Sequence, residues 1–175
     1  MNIKTGIIYS SVDGQTLKIC NTLVEVLQQN DQQVELFSID EFDEDVTKYD
    51  RLIIGSSIRY GVHNKKIIEF INTHKKELDS IRTAFFSVNL VARKPEKRTP
   101  ETNPYVIKFF KTIDWKPTMV EVFAGNLDYK KYSFFDRKMI QFIMWMTKGP
   151  TKTSTEIEYT DWDRVKEFGT QLSQL

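Results

Sequence analysis

The 175-residue chain has one cysteine, Cys20, two histidines, His63 and His74, and no apolar run long enough to cross a bilayer. A single thiol excludes a disulfide framework and points to a reducing compartment. Cys20 falls on the apolar stripe Leu17, Cys20, Leu23, Val24, Leu27, so an inert, buried thiol is expected rather than a nucleophile. No cluster of Cys, His and carboxylates has metal-ligand spacing, and no metal is expected. The N-terminus shows no basic region followed by an apolar core, so no secretory leader is expected and the chain reads as cytoplasmic. Also missing are the G-x-x-x-x-G-K-[ST] loop of triphosphate sites and the G-x-G-x-x-G dinucleotide fingerprint. Nucleic acid is not an expected partner.

What is present suits one packed domain over residues 1–175, with 40% apolar and 13% aromatic residues and no visible linker. Apolar runs at Gly6–Tyr9, Val34–Ile39, Leu52–Ser56, Ala84–Val88 and Met119–Ala124 read as five strands. Several are near-continuous rather than alternating, as a parallel sheet covered on both faces requires. Helical spacing appears between them at Leu17/Cys20/Val24/Leu27, Ile67/Ile71/His74/Leu78 and Tyr105/Phe109/Ile113, and again at Trp162/Val165/Phe168/Leu172 behind the N-cap candidate Asp161. This βα alternation implies an α/β three-layer sandwich with right-handed crossovers. Strand order 2-1-3-4-5, the flavodoxin-like solution, fits it; periodicity alone leaves a short Rossmann-type order open.

Open parallel sheets bind ligands at the carboxyl ends of their strands, so the loops there deserve the closest reading. Ser10-Ser11-Val12-Asp13-Gly14-Gln15-Thr16 joins the first strand to the first helix. Free amides at a helix start, the helix dipole and three hydroxyls can hold a phosphate without a lysine. The spacing favours one terminal phosphate, as a mononucleotide carries, although an ordinary capped turn has the same composition. The third strand ends in Ser57-Ile58-Arg59-Tyr60-Gly61, where Tyr60 offers a ring and Gly61 a close backbone approach. The fourth ends in Val88-Asn89-Leu90-Val91-Ala92-Arg93, whose amides can serve the other face of a planar ligand. His63 on a loop reads as a surface residue and His74 as structural, so no acid or base is assigned.

The net charge of +1 hides a strong asymmetry. Residues 28–50 carry a net −7, whereas residues 91–116 and 128–152 each carry +4. Arg93, Lys94, Lys97 and Arg98 stand on a loop interrupted by Pro95 and Pro100, and suit the carboxylates of an anionic substrate. The gap between Gly125 and Asp161 far exceeds the usual connection of about 2–6 residues, so an insertion in the last strand, at about 126–155, is expected. It contains Met139-Ile-Gln-Phe-Ile-Met-Trp-Met146, too short to span a bilayer, with Lys130, Lys131, Arg137, Lys138 and Lys148 around it. The 129–148 segment therefore suits an interfacial helix on a membrane surface, a cover for a large substrate, or a packed helix within a core or a homo-oligomer.

Asp13-Gly14-Gln15-Thr16, IIGSSIRYG at 53–61, SVNLVARKPEKRTP at 87–100 and Tyr159-Thr160-Asp161-Trp162 together resemble the quinone-dependent, flavodoxin-like protoporphyrinogen oxidases of gamma-proteobacteria, over essentially the full length. The resemblance implies FMN, with its phosphate on Ser10–Thr16 and its ring between the loops at 57–61 and 88–93. It further implies six-electron oxidation of protoporphyrinogen IX in haem synthesis and electron transfer to a respiratory quinone, menaquinone or ubiquinone. It also implies peripheral association with the cytoplasmic face of the inner membrane. An electron-carrying flavodoxin and an NAD(P)H-quinone reductase of the same fold are the rival readings; basic rather than acidic loops beside the site weigh against the carrier.

Overall fold

The computed structural model describes residues 3–175. In chain order the elements are β1 (Lys4–Ser10), α1 (Gln15–Gln29), β2 (Gln33–Ser38), β3 (Arg51–Arg59), β4 (Val62–His63), α2 (Lys65–Thr73), α3 (Lys75–Ser80) and β5 (Arg82–Val88). The second half adds α4 (Pro104–Thr112), β6 (Met119–Phe123), β7 (Asn126–Asp128), α5 (Phe134–Met146), β8 (Glu156–Glu158) and α6 (Trp162–Gln174). Short 3-10 turns lie at Val46–Lys48, Leu90–Arg93, Pro95–Lys97 and Tyr129–Lys131. Five parallel strands run β2-β1-β3-β5-β6, the 2-1-3-4-5 order, and not the Rossmann-type order that periodicity leaves open. β4 adds an antiparallel hairpin arm to β3.

Strand periodicity sends neighbouring residues to opposite faces, and each face has its own core. Ile7, Ile53, Phe86 and Phe123 pack against Ile19, Leu23 and Leu27 of α1 and Val165, Phe168 and Leu172 of α6. Ile8, Ile54 and Phe85 pack against Ile67 and Ile71 of α2, Leu78 of α3 and Phe109 of α4. Cys20 is fully buried in the first core, where desolvation pushes its thiol well above its ordinary range. Gly55 passes so close to Phe86 that a Cβ there would fall inside the ring's van der Waals surface.

Two elements differ from the expectation. The stripe Ile67/Ile71/His74/Leu78 is two helices, because His74 (φ −103°, ψ 20°) leaves helical geometry at the junction. Its amide still bonds to Phe70 and its carbonyl to Leu78, so the apolar face carries on across the break. The excursion after β6 is not irregular either. β7 and β8 pair antiparallel, Leu127 opposite Ile157, as a separate two-stranded ribbon that brackets α5. Ser133 caps α5 by accepting from the Asp136 amide, and Asp161 caps α6 by accepting from Arg164. Leu127, Tyr129, Tyr132 and Met144 form a small core within the insertion.

Candidate functional site

A cavity of about 390 Å³ opens at the carboxyl ends of β1, β3, β5 and β6. From the first loop it takes Ser11, Val12, Asp13, Gln15 and Thr16; from the second, Ser57, Ile58, Arg59, Tyr60 and Gly61; from the third, Val88, Asn89, Leu90 and Val91. Ser10 and Gly14 lie in the first loop without lining the cavity. Ser10 is buried at the end of β1, and Gly14 takes a left-handed φ of 87° that turns the chain into α1. No side chain caps α1, because its N-cap residue is Gly14; Ser11 Oγ accepts from the Gly14 amide (3.1 Å) within the turn. The start of α1 thus keeps its donors and the positive end of its dipole at the cavity.

The remaining loop residues lie outside the cavity lining. Ala92 packs against Val106 and Val122. Arg93 donates to the Leu90 carbonyl (2.9 Å) and to Thr147 through both its carbonyl (3.1 Å) and Oγ1 (2.8 Å), tying the third loop to the insertion. Lys94, Lys97 and Arg98 do not border the cavity. The cations that do are Arg59 and Lys131. No residue of the acidic stretch 28–50 reaches it.

The fourth wall is the insertion, through Asn126, Lys131, Tyr132, Ser133, Asp136, Met139, Ile140 and Ile143, joined by Gly125 and by Tyr105 of α4. The strand-end rule points to Gly125-Asn126, and the helical stripe of 139–143 marks the apolar wall. Asp136 carries no such mark, since its role depends on a fold of the insertion that sequence spacing does not reveal. Its carboxylate accepts from Arg59 Nη2 (2.6 Å), from the Tyr60 hydroxyl and from Ser133 Oγ (2.7 Å). Hydrogen bonds from the two hydroxyls, with the Arg59 charge, hold the Asp136 carboxyl below the usual carboxylate range. Desolvation raises Asp13, against the pull of Arg59, and burial pushes the Tyr132 hydroxyl up to about 12.

His63 is buried rather than on the surface. It lies on β4, its Nε2 2.8 Å from Ser87 Oγ and its ring against Phe85 and Phe109. Burial lowers its pKa to about 3 and keeps it neutral, and it does not line the cavity. Among the described residues no three His, Cys, Asp or Glu side chains are grouped to hold a metal, and no helix is long and apolar enough to cross a membrane.

Six buried side-chain polar atoms lack a hydrogen-bond partner among the described residues, and three of them, Thr16 Oγ1, Ser57 Oγ and Asn126 Oδ1, belong to residues of this one cavity. Buried hydroxyls and amides are almost always paired, so a polar ligand with acceptors near α1 and further groups near β3 and β7 fits them. The rim is apolar and exposed at Val12, Tyr60 and Met139. It continues into Phe134, Phe135, Phe142, Trp145 and Met146 on the outer face of α5.

A family model for a flavodoxin domain matches residues 6–154. The chain is 43% identical over 174 residues to protoporphyrinogen IX dehydrogenase (quinone) of Escherichia coli K12, covering 99% of this chain and 96% of that one. It is 41% identical over 175 residues to the protein of the same name from Leishmania major, covering 98% of this chain and 75% of that one. Among solved structures, an archaeal flavodoxin superposes with a TM-score of 0.54 at 10% identity, covering 98% of this chain and 97% of that one. Two-electron reduced Megasphaera elsdenii flavodoxin gives 0.52 at 13% identity, over 69% and 85%. Parallel strand order, a cavity at the strand ends and similarity along the whole chain agree: this chain belongs to the flavodoxin domain family, on the branch whose curated members are named protoporphyrinogen IX dehydrogenase (quinone).

Proposed function

We propose that the chain is an FMN-dependent dehydrogenase that oxidises protoporphyrinogen IX to protoporphyrin IX and passes the electrons to a respiratory quinone, as a step of haem synthesis. The observation that carries this reading is the cavity formed by the loops that end β1, β3, β5 and β6 at the start of α1, three of whose lining residues, Thr16, Ser57 and Asn126, carry buried polar atoms without partners. In a chain 43% identical to a protein of that named activity, those are the groups a flavin mononucleotide would satisfy. The free amides of α1, with Ser11 and Thr16, would hold the phosphate. The 57–61 and 88–91 loops would hold the ring, which when bound supplies the two-electron redox chemistry.

The chain's own work is to bind, orient and exclude water. Val88, Ile140 and Ile143 give the cavity apolar walls. Asn89 stiffens the third loop by accepting from the Ala92 amide (3.1 Å) while donating to Ser87 Oγ (3.1 Å). Neither His63 nor His74 borders the cavity. Lys131 is the cavity cation placed for a substrate carboxylate, with Lys94, Lys97 and Arg98 on the neighbouring loop.

The exposed apolar face of α5, flanked by Lys130, Lys131, Lys138 and Lys148, rests on the cytoplasmic side of the inner membrane in this reading. Quinone would then be met at the bilayer surface. The decisive experiment is anaerobic mixing of FMN-loaded protein with protoporphyrinogen IX, expecting loss of flavin absorbance and its return on adding quinone. Flavin that stays oxidised with the porphyrinogen but bleaches with NADPH would replace this reading with that of an NAD(P)H-quinone reductase.

A further inference from the structure

β3 turns into β4 through Tyr60 and Gly61, with Arg59 paired to Val62 across the hairpin. Both turn residues are left-handed, Tyr60 at φ 51° and Gly61 at φ 77°. Two-residue turns of this kind favour Asn, Asp or Gly at the first position, where an L side chain with a bulky ring is strained. Tyr60 is also 59% exposed, so burial of its ring does not compensate the strain.

The compensation comes from the insertion. Asp136 of α5 accepts from the Tyr60 hydroxyl and from Arg59 Nη2, the residue just before the turn, and is itself steadied by Ser133. The Arg59 guanidinium also lies over the Tyr60 ring, 5.3 Å from its centroid. Asp136 is buried, and charge-assisted bonds of this type are the strong ones. Arg59, Tyr60, Gly61, Ser133 and Asp136 all line the cavity.

We propose that Asp136 is a positioning residue for the flavin site: through Arg59 and Tyr60 it holds the 60–61 turn in the left-handed conformation that presents the loop to the cofactor. The insertion is then a working part of the cofactor site as well as its outer wall. The inference rests on the cavity being a flavin site.

The test uses apo-protein titrated with FMN, followed by flavin fluorescence and by visible circular dichroism of the bound ring. Asp136→Ala is expected to raise the FMN Kd about tenfold and to change the visible dichroism, with the apo-protein still melting cooperatively. In a Tyr60→Asn background, whose turn adopts the left-handed conformation unaided, the same Asp136→Ala step is expected to shrink to threefold or less. An unchanged Kd and spectrum, or an equal loss in both backgrounds, overturns the proposal. Should Asp136→Ala not fold, Tyr60→Phe removes only the hydroxyl that bonds to Asp136, and an unchanged Kd and spectrum there overturns it equally. Failure of the unaltered chain to bind FMN would instead strike the cofactor reading itself, and this inference with it.

Discussion

Single residues of β3 and β4 set the tolerances of the core beneath the cavity. His63 is neutral in the folded protein, with its pKa lowered to about 3, while the unfolded chain titrates near 6.5. Between those values the unfolded state holds a proton that the native state does not, so stability falls as pH drops through 6.5 and continues to fall toward 3. Going from pH 7 to 5 is expected to cost about 2 kcal/mol from this residue. Urea melts at both pH values check it, and His63→Gln should flatten that part of the profile. At Gly55, Gly55→Ala forces a methyl against the Phe86 ring in the core and is expected to destabilise by about 2–3 kcal/mol, read from the urea midpoint. Phe86→Leu in the same chain should recover part of the loss. His63 shows why residue-level reading stops short: Gly61 marks a turn, yet nothing local says that a two-residue strand will fold back onto β3 and carry the histidine inside. The hydroxyl-rich turn between β1 and α1 was legible as a turn because its chemistry is local, whereas Asp136 was not, because its partners Tyr60 and Arg59 lie 76 and 77 residues away.

Secondary-structure elements were legible where a long pattern met a clear stop. α1, α4, α6 and the five sheet strands follow from apolar spacing and caps, Asp161 included. β7 and β8 have three residues each, too few for alternation to register, and their pairing spans 28 residues or more. The insertion was therefore visible as excess length and as an apolar helix, without its ribbon. α5 has 13 residues, a rod of about 20 Å, and shows six large apolar side chains to solvent. Replacing Phe135, Phe142 and Trp145 with serine should abolish flotation with vesicles containing anionic lipid and leave the melting temperature within about 2 °C, since these side chains are mostly exposed. Retained flotation would remove α5 from the membrane reading.

For the molecule as a whole, each of the first three loops at the cavity sends a side chain to the excursion or its return. Gln15 donates to Glu158 (2.7 Å) and Thr160 (2.8 Å), Arg59 to Asp136, and Arg93 to Thr147. A ligand that satisfies Thr16, Ser57 and Asn126 therefore bridges the sheet and the insertion at once. FMN at a hundred times its Kd is expected to add about 2.7 kcal/mol, a rise in melting temperature of about 5–10 °C, which a thermal scan with and without FMN measures. Fold class was legible at this scale because burial on both faces leaves its mark along every strand; the joining of loops to insertion was not, because it consists of single polar pairs with no period. The ribbon of β7 and β8 has one more consequence. Its paired ends keep Asp128 opposite Glu156, so 129–155 leaves and rejoins the ribbon at one point, while Tyr129, Tyr132 and Met144 from within that stretch bury Leu127. The excursion is thus hinged to the sandwich at one place and latched to it at three others, through Gln15, Arg59 and Arg93, so loosening the ribbon alone would not free it.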